Sequence, residues 1–370
     1  MKKRILILNY EFPPLGGGAA NATYYLLKEF SKDKNLDIDL VTSSTDKFRV
    51  EEFSSNITVH YLNIGKKGNL HYQSKKDLLK YSYKSYDYSK KLLSKGKYDL
   101  IHAFFGIPSG YIAMKLSKKY SLPYIVSLRG SDVPFYNKRF EYLDRYLFRF
   151  LSKKIWLNAK SVIANSKGLK DLALKTSPNQ QIKVIYNGVD TNFFKPAKNI
   201  VSKKFTLVST GRLISRKGYD YLIQSVEGLN LKIVLVGDGP EREYLKKLSK
   251  EKKVAVEFKG VLSKELVLKE LQKANTFVLP SLNEGMSNSA LEAISCSLPV
   301  ILTDVGGSSE LINKNGFIIK PKDKHSLRKS VIKLMENKTL QKTFSSNSRI
   351  LAKKMSWEKM SEEYKQAYNS

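Results

Sequence analysis

PSLNEGMSNSALEAISCSLPVILTDVGGSSELI, residues 280–312, decides how this 370-residue chain is read. It begins at the end of a short apolar run, TFVLPS (276–281), and turns through a polar segment holding Glu284 and Gly285. Ser287 and Asn288 then open an apolar-periodic stretch, with serine where a helix takes its cap. A second apolar run, PVILTDVGG (299–307), follows. Strand, turn, helix and strand make one βα unit, and its turn lies at the carboxyl end of the strand, where parallel sheets bind ligands. Backbone N–H groups of Gly285, Met286, Ser287 and Asn288 at such a helix start suit an anionic or hydroxyl-rich ligand. Glu292 lies eight residues after Glu284, about two helical turns deeper. The two carboxylates can therefore meet different parts of one extended ligand, although two isolated glutamates are more often just solvated.

The same alternation runs outward in both directions. Upstream, FTLVSTGR, LKIVLVGDG and VEFKGV are strands, and GFIIK is one downstream; together they form a second βα series beginning near residue 204. The first half reads RILILNY (4–10), LDIDLVTSS (36–44), ITVHYLNI (57–64), YDLIHAFFG (98–106), PYIVSLRG (123–130) and SVIANS (161–166) as strands, with helical segments between. The fold class is thus α/β with doubly wound parallel sheets. FFKPAKNIVSKK (193–204) has linker composition, so we expect domains at 1–197 and 198–352, facing a cleft.

Composition narrows the function classes. A hydrophobic fraction of 42% and a charged fraction of 27% are those of globular proteins. No window approaches the ~20 apolar residues of a membrane span, and the five-residue apolar start reads as a buried strand rather than a signal peptide. One cysteine, Cys296, excludes internal disulfides and reads as core packing; four scattered histidines make a metal site unexpected. These features suit a cytoplasmic protein. The net charge of +31, spread over both halves, favours anionic partners, but a lysine-rich proteome explains it equally well. No nucleic-acid module is recognisable. KRFEYLDRYLFRFLSKKIWLNAK (138–160) and HYQSKKDLLKYSYKSYDYSKKLLSKGK (71–97) mix aromatics with lysines. That pattern suits an anionic bilayer surface, or equally a helix packed on a sheet with a basic outer face.

Three further groups bear on chemistry. STGRLISRKGYDYLI (209–223) sets Gly211 and Arg212 at a strand end and Lys217 before the next helix. Two cations there can cradle a diphosphate, unless the loop is merely a solvated basic one. PPLGGGAANA (13–22), with Gly16 and Gly17, lets backbone N–H groups approach a phosphate but matches neither a P-loop nor a dinucleotide fingerprint. Asp37-x-Asp39 lies within an alternating strand and reads as surface residues. His102, at the end of the fourth strand, is expected to face ligand.

Together IHAFFG, SLRGSDV, SVIANS, IYNGVD, TGRLISRKG, VGDGPERE, EGMSNSALEA with LPVILTDVGGSSE, and SWEKMSEEY resemble the family-4 retaining glycosyltransferases over almost the whole chain. The resemblance implies a GT-B architecture, with a C-terminal helix (353–370) packing back on the first domain. It implies a metal-independent hexosyltransferase with no cofactor, taking a UDP- or GDP-sugar as donor and a glycan or lipid-linked acceptor. By matching position, Arg212 and Lys217 grip the diphosphate, Glu284 holds the donor sugar, Glu292 contacts the ribose, and the Gly16–Gly17 loop lies beside the diphosphate and acceptor. Asn187, in IYNGVD, falls in a segment between the domains. One departure stands out. Many relatives have histidine near the reacting sugar where this chain has Arg129, followed by Gly130 and Asp132. An arginine cannot accept a proton at neutral pH; it can bind a hydroxyl or phosphate, or pair with Asp132. The implied setting is cell-surface glycan synthesis, with the protein cytoplasmic and peripheral on the inner face of the plasma membrane. A sugar-nucleotide epimerase, a phosphorylase or a non-catalytic glycan-binding scaffold of the same fold are the rival readings.

Overall fold

The computed structural model describes residues 2–68, 70, 73–136, 144–197 and 204–370. Residues 71–72, 138–143 and 198–203 of the segments singled out above lie outside this set. The chain divides into two compact units, Met1–Tyr186 with Trp357–Ser370, and Asn187–Ser356. The divide thus falls at Asn187, ahead of the low-complexity stretch at 193–204.

In the first unit the strands are β1 (Lys3–Leu8), β2 (Leu36–Ser44), β3 (Arg49–Ser54), β4 (Ile57–Asn63), β5 (Leu100–Phe104), β6 (Tyr124–Leu128), β7 (Ser161–Ala164) and β8 (Ile182–Val184). They form one sheet in the order β3-β4-β2-β1-β5-β6-β7-β8. All pairings are parallel except β3 with β4. β1, β5 and β6 are buried almost throughout, which is why they read as unbroken apolar runs. β3 carries Glu51 and Glu52 in exposed positions, as an edge strand does to discourage further pairing; that polarity hides it from a search for apolar alternation.

The second unit has β9 (Phe205–Thr210), β10 (Leu231–Val236), β11 (Ala255–Gly260), β12 (Thr276–Leu279), β13 (Val300–Thr303) and β14 (Gly316–Ile319). Their order, β11-β10-β9-β12-β13-β14, is wholly parallel. The order reverses between β9 and β12, and such a switch point is where parallel sheets bind ligands. In the first unit the reversal lies between β1 and β5.

Trp357–Asn369 is a helix of the first unit. Trp357 stacks on Tyr25 at 5.0 Å, and Tyr364 and Tyr368 are fully buried. Among the described residues no helix is long and apolar enough to cross a membrane.

Candidate functional site

The two loops at the second unit's switch point carry the residues singled out first. After β9 the chain runs through Gly211 and exposed Arg212 to a tight turn, Ser215–Lys217. Gly218 follows at φ +66 and starts the helix Tyr219–Ser225. A side chain at Gly218 would run into the carbonyl of Pro280, so this glycine lets the two loops touch. Leu282 N donates to Arg216 O at 2.7 Å and fixes that contact.

Lys217 is thereby set against the loop after β12. Its Nζ donates to Glu284 Oε1 at 2.5 Å, and Ser281 Oγ donates to the same oxygen at 2.8 Å. Both charged side chains are about nine-tenths buried. Burial pushes the Glu284 carboxyl up, but Lys217 outweighs it and holds the group below the ordinary glutamate range. Glu284 is therefore an ionised acceptor at neutral pH, with an oxygen left for a ligand hydroxyl. Beneath it, Thr303 Oγ1 donates to Ser281 O at 2.5 Å and Gly307 N to Gly285 O at 2.7 Å. Gly306, at φ +53, passes so close to the Glu284 carbonyl that no side chain fits. Neither Ser281 nor Gly306 was singled out by sequence; the pattern places glycine and serine near the strand ends but not which loop each one clamps.

Ser287 caps the helix Asn288–Ser295, accepting from Ala290 N. Asn187 Nδ2 donates to Asn288 Oδ1 at 2.8 Å, and its backbone N–H points at Met286 Sδ, 3.3 Å away. Asn187 therefore belongs with the helix start and positions it. Glu292 is half-buried on the same helix. Desolvation, only partly offset by Lys264, raises its carboxyl to about 7. Cys296, one turn on, is buried, and burial takes its thiol up to about 12; it is core packing. The second unit thus gathers Lys217, Glu284, the helix start and Glu292, with Arg212 on the adjoining loop.

The first unit gathers a smaller set. Gly16 (φ +97) and Gly17 lead into the helix Gly18–Phe30, and Gly17 N donates to Glu11 Oε2 at 3.3 Å. Glu11 thus already brings a carboxylate to the N-terminus where a phosphate was pictured. Asp132 ties the loop after β6: Oδ1 accepts from Arg129 N and Gly130 N, both at 2.9 Å, and Oδ2 from Gly106 N at 2.6 Å. Burial raises the Asp132 carboxyl against the pull of these three donors. Arg129 is buried over the ring of Phe104, with Tyr364 as a side-chain hydrogen-bond partner. Desolvation lowers its pKa, opposed by Tyr364 and Asp132.

Two expectations are corrected. His102 does not face ligand. It lies within β5, fully buried, with Nδ1 bonded to Tyr368 Oη and Nε2 to Ser127 Oγ, each at 2.8 Å. Desolvation takes it down to about 3, so it stays neutral. The returning C-terminal helix covers this strand and makes the histidine a core bridge. Asp39 is likewise no surface residue: its carboxylate bonds His60 Nε2 (2.7 Å), Tyr98 Oη (2.6 Å) and Arg4 Nη2 (3.0 Å). Only Asp37 of that pair is exposed, beside Lys2 and Arg4. Among the described residues, no three of histidine, cysteine, aspartate and glutamate converge as metal ligands.

Comparisons with known proteins identify the fold and the family. The family model described as Glycosyl transferases group 1 matches residues 190–351, and that described as Glycosyltransferase Family 4 matches residues 16–193. An uncharacterized glycosyltransferase of Methanocaldococcus jannaschii is 27% identical over 96% of this chain and 95% of its own. TuaC of Bacillus subtilis, assigned to teichuronic acid biosynthesis, is 33% identical over 63% of this chain and 60% of its own. Sucrose-phosphate synthase from Thermosynechococcus elongatus superimposes with a TM-score of 0.86 at 22% identity, covering 99% of this chain and 98% of that one. Anabaena HepE, solved in complex with UDP-glucose, does so with a TM-score of 0.76 at 19% identity over 99% of each chain. With one family model on each unit and the GT-B fold throughout, the chain belongs to the family-4 glycosyltransferases.

Proposed function

We propose that this glycosyltransferase moves a sugar, with retention of configuration, from a UDP- or GDP-sugar to a hydroxyl of a glycan or lipid-linked acceptor in cell-surface polysaccharide or glycolipid synthesis. The observation that carries the reading is the buried Lys217–Glu284 pair beside the start of the helix Asn288–Ser295, at the switch point of the second sheet. A diphosphate at that start gains the helix dipole, backbone donors of the helix start and the charges of Lys217 and Arg212. Glu284, kept ionised by Lys217, accepts from donor-sugar hydroxyls; Glu292 accepts from the ribose. TuaC's assignment to teichuronic acid biosynthesis and the UDP-glucose in HepE support the choice of donor and setting.

The bond from the anomeric carbon to the diphosphate breaks as the acceptor oxygen bonds to that carbon from the same face. The departing phosphate oxygen takes the acceptor's proton. No side-chain base is required, in keeping with a buried neutral His102 and an arginine at 129. The protein's contribution is to hold the reactants and stabilise the charge that grows on the diphosphate, a task Arg212 and Lys217 can perform without a divalent ion.

Thermal unfolding with UDP, GDP and their glucose conjugates, each with and without EDTA, tests this. A nucleotide bound at a hundred times its Kd adds about 2.7 kcal/mol to the native state, so a clear upward shift that survives EDTA is the expected result. Absence of any nucleotide shift would overturn the reading in favour of a scaffold. Phosphate-dependent glycoside cleavage without nucleotide would favour a phosphorylase.

A further inference from the structure

At the carboxyl end of β2 the first unit contains a recess of about 240 Å³, lined by Pro14, Leu15, Ser43–Asp46, Arg49 and Tyr61. None of the residues assigned above belongs to it. From its chemistry we infer that it is a subsite for one neutral sugar ring of the acceptor, an assignment that rests on the glycosyl-transfer reading.

Size comes first. An engineered cavity of about 150 Å³ takes one benzene molecule, so a recess of about 240 Å³ is on the scale of one larger ring, such as a pyranose, rather than of a nucleotide.

Charge comes next. The chain carries +31 overall, yet this recess is balanced. Arg49 Nε donates to Glu51 Oε1 at 2.6 Å, and Nη1 donates to Ser44 Oγ at 3.0 Å and Asp46 Oδ1 at 3.2 Å. Its guanidinium also lies 3.8 Å from the centre of the Tyr61 ring. Arg49 is thus met by two carboxylates. An anion would find no uncompensated positive charge; a polyhydroxyl ligand would find donors and acceptors in alternation.

The lining groups supply those partners. Ser44 Oγ donates to Asp46 Oδ1 at 2.5 Å, and that bond helps hold Asp46 below the usual carboxylate range. Its side chain is 63% exposed, which leaves the carboxylate able to accept from vicinal hydroxyls. Tyr61, raised to about 12 by burial, keeps its phenolic proton. Pro14 and Leu15 give an apolar wall against which the C–H face of a sugar ring can lie.

Saturation-transfer NMR on the full chain decides the matter, with glucose, galactose, N-acetylglucosamine and maltose as neutral probes and glucose 6-phosphate and inorganic phosphate as anionic ones. At least one neutral saccharide should bind. Asp46→Asn, at an exposed position, should weaken it about tenfold, the cost of losing a charged hydrogen-bond acceptor, and Thr45→Trp should abolish it by filling the recess. The assignment is overturned if no neutral saccharide binds, if only the phosphates do, or if neither variant changes binding. UDP affinity, measured on the same samples, reports the second unit separately. Lost UDP binding with saccharide binding intact would count against the donor reading and not against this recess.

Discussion

The proposed donor site holds two glutamates that burial pushes up alike and that their neighbours drive apart. Glu284 keeps its charge because Lys217 lies 2.5 Å away; Glu292 has no such partner at hand, and desolvation lifts it to about 7. If Glu292 accepts from ribose hydroxyls in its ionised form, nucleotide affinity should rise between pH 6 and pH 8, as the group loses its proton. Calorimetry on the wild type and Glu292→Gln checks this. The variant should bind more weakly at pH 8 and lack that part of the pH dependence; parallel curves would remove Glu292 from the ribose. The same shift bears on stability. A carboxyl whose folded pKa lies above its unfolded value of 4.5 stabilises the native state below pH 4.5, and that contribution is lost as pH rises through about 7. Glu284→Ala should instead lower turnover, with a smaller effect on nucleotide affinity, if its place is beside the sugar. It should also destabilise the fold by about 3–5 kcal/mol, since it strands a buried Lys217; Glu284→Gln separates the two effects. Position and residue type made these glutamates legible in the sequence. Their opposite protonation was not legible, because it depends on which loop brings a lysine within reach.

At the scale of elements, the strands with unbroken apolar runs were readable because a parallel sheet covered on both faces leaves no polar alternation. LDIDLVTSS coincides with β2, residue for residue. What escaped were β3, whose glutamates disguise an edge, and the three-residue β8, too short to show a period. The two misread polar residues share one cause: sequence alone does not say which element covers a strand. His102 lies inside β5 rather than at its end, and Tyr368 arrives from 266 residues away to occupy its ring nitrogen. Ser127 Oγ, Tyr364 Oη and Arg129 continue that buried chain of polar groups. The C-terminal helix is therefore part of the first unit's core, tied by hydrogen bonds as well as by the stacking of Trp357 on Tyr25. Tyr368→Phe should leave the His102 nitrogen buried without its partner and cost about 1–3 kcal/mol. Urea denaturation followed by tryptophan fluorescence measures it, Trp156 and Trp357 both lying in this unit. A change below a few tenths of a kcal/mol would mean that water replaces the hydroxyl and that the helix is held by packing alone.

Across the whole molecule the charge of +31 is spread over both halves, and one basic stretch stands beside exposed aromatic side chains. In the described part of the basic-aromatic segment, Asp144–Phe148 runs into the helix Arg149–Leu157. Tyr146 is 67% exposed, Phe150 72% and Leu157 61%. At 100° per residue these three fall on one side of a helical turn, with Arg149, Lys153 and Lys154, also exposed, flanking them. Ile155 and Trp156 point into the core and anchor the helix. Exposed large aromatics ringed by cations suit the interface of an anionic bilayer, where apolar side chains enter the acyl boundary and lysines stay among the headgroups. A solvated outer face explains the lysines but not three large apolar groups left in water. We therefore expect the protein to float with vesicles containing anionic lipid and not with neutral ones. Each basic residue near such a surface contributes ~1 kcal/mol. The Debye length falls from ~10 Å at 0.1 M salt to ~3 Å at 1 M, so binding should weaken steeply as salt rises. Replacing Arg149, Lys153 and Lys154 by Gln should release the protein from anionic vesicles at moderate salt. Phe150→Ser should weaken binding even where salt has already screened the charges, which separates insertion from nonspecific attraction of a basic protein. UDP affinity should stay unchanged in both variants, since the nucleotide residues belong to the other unit. Equal flotation with neutral and anionic vesicles, or variants that float like the wild type, would make this face an ordinary part of the surface.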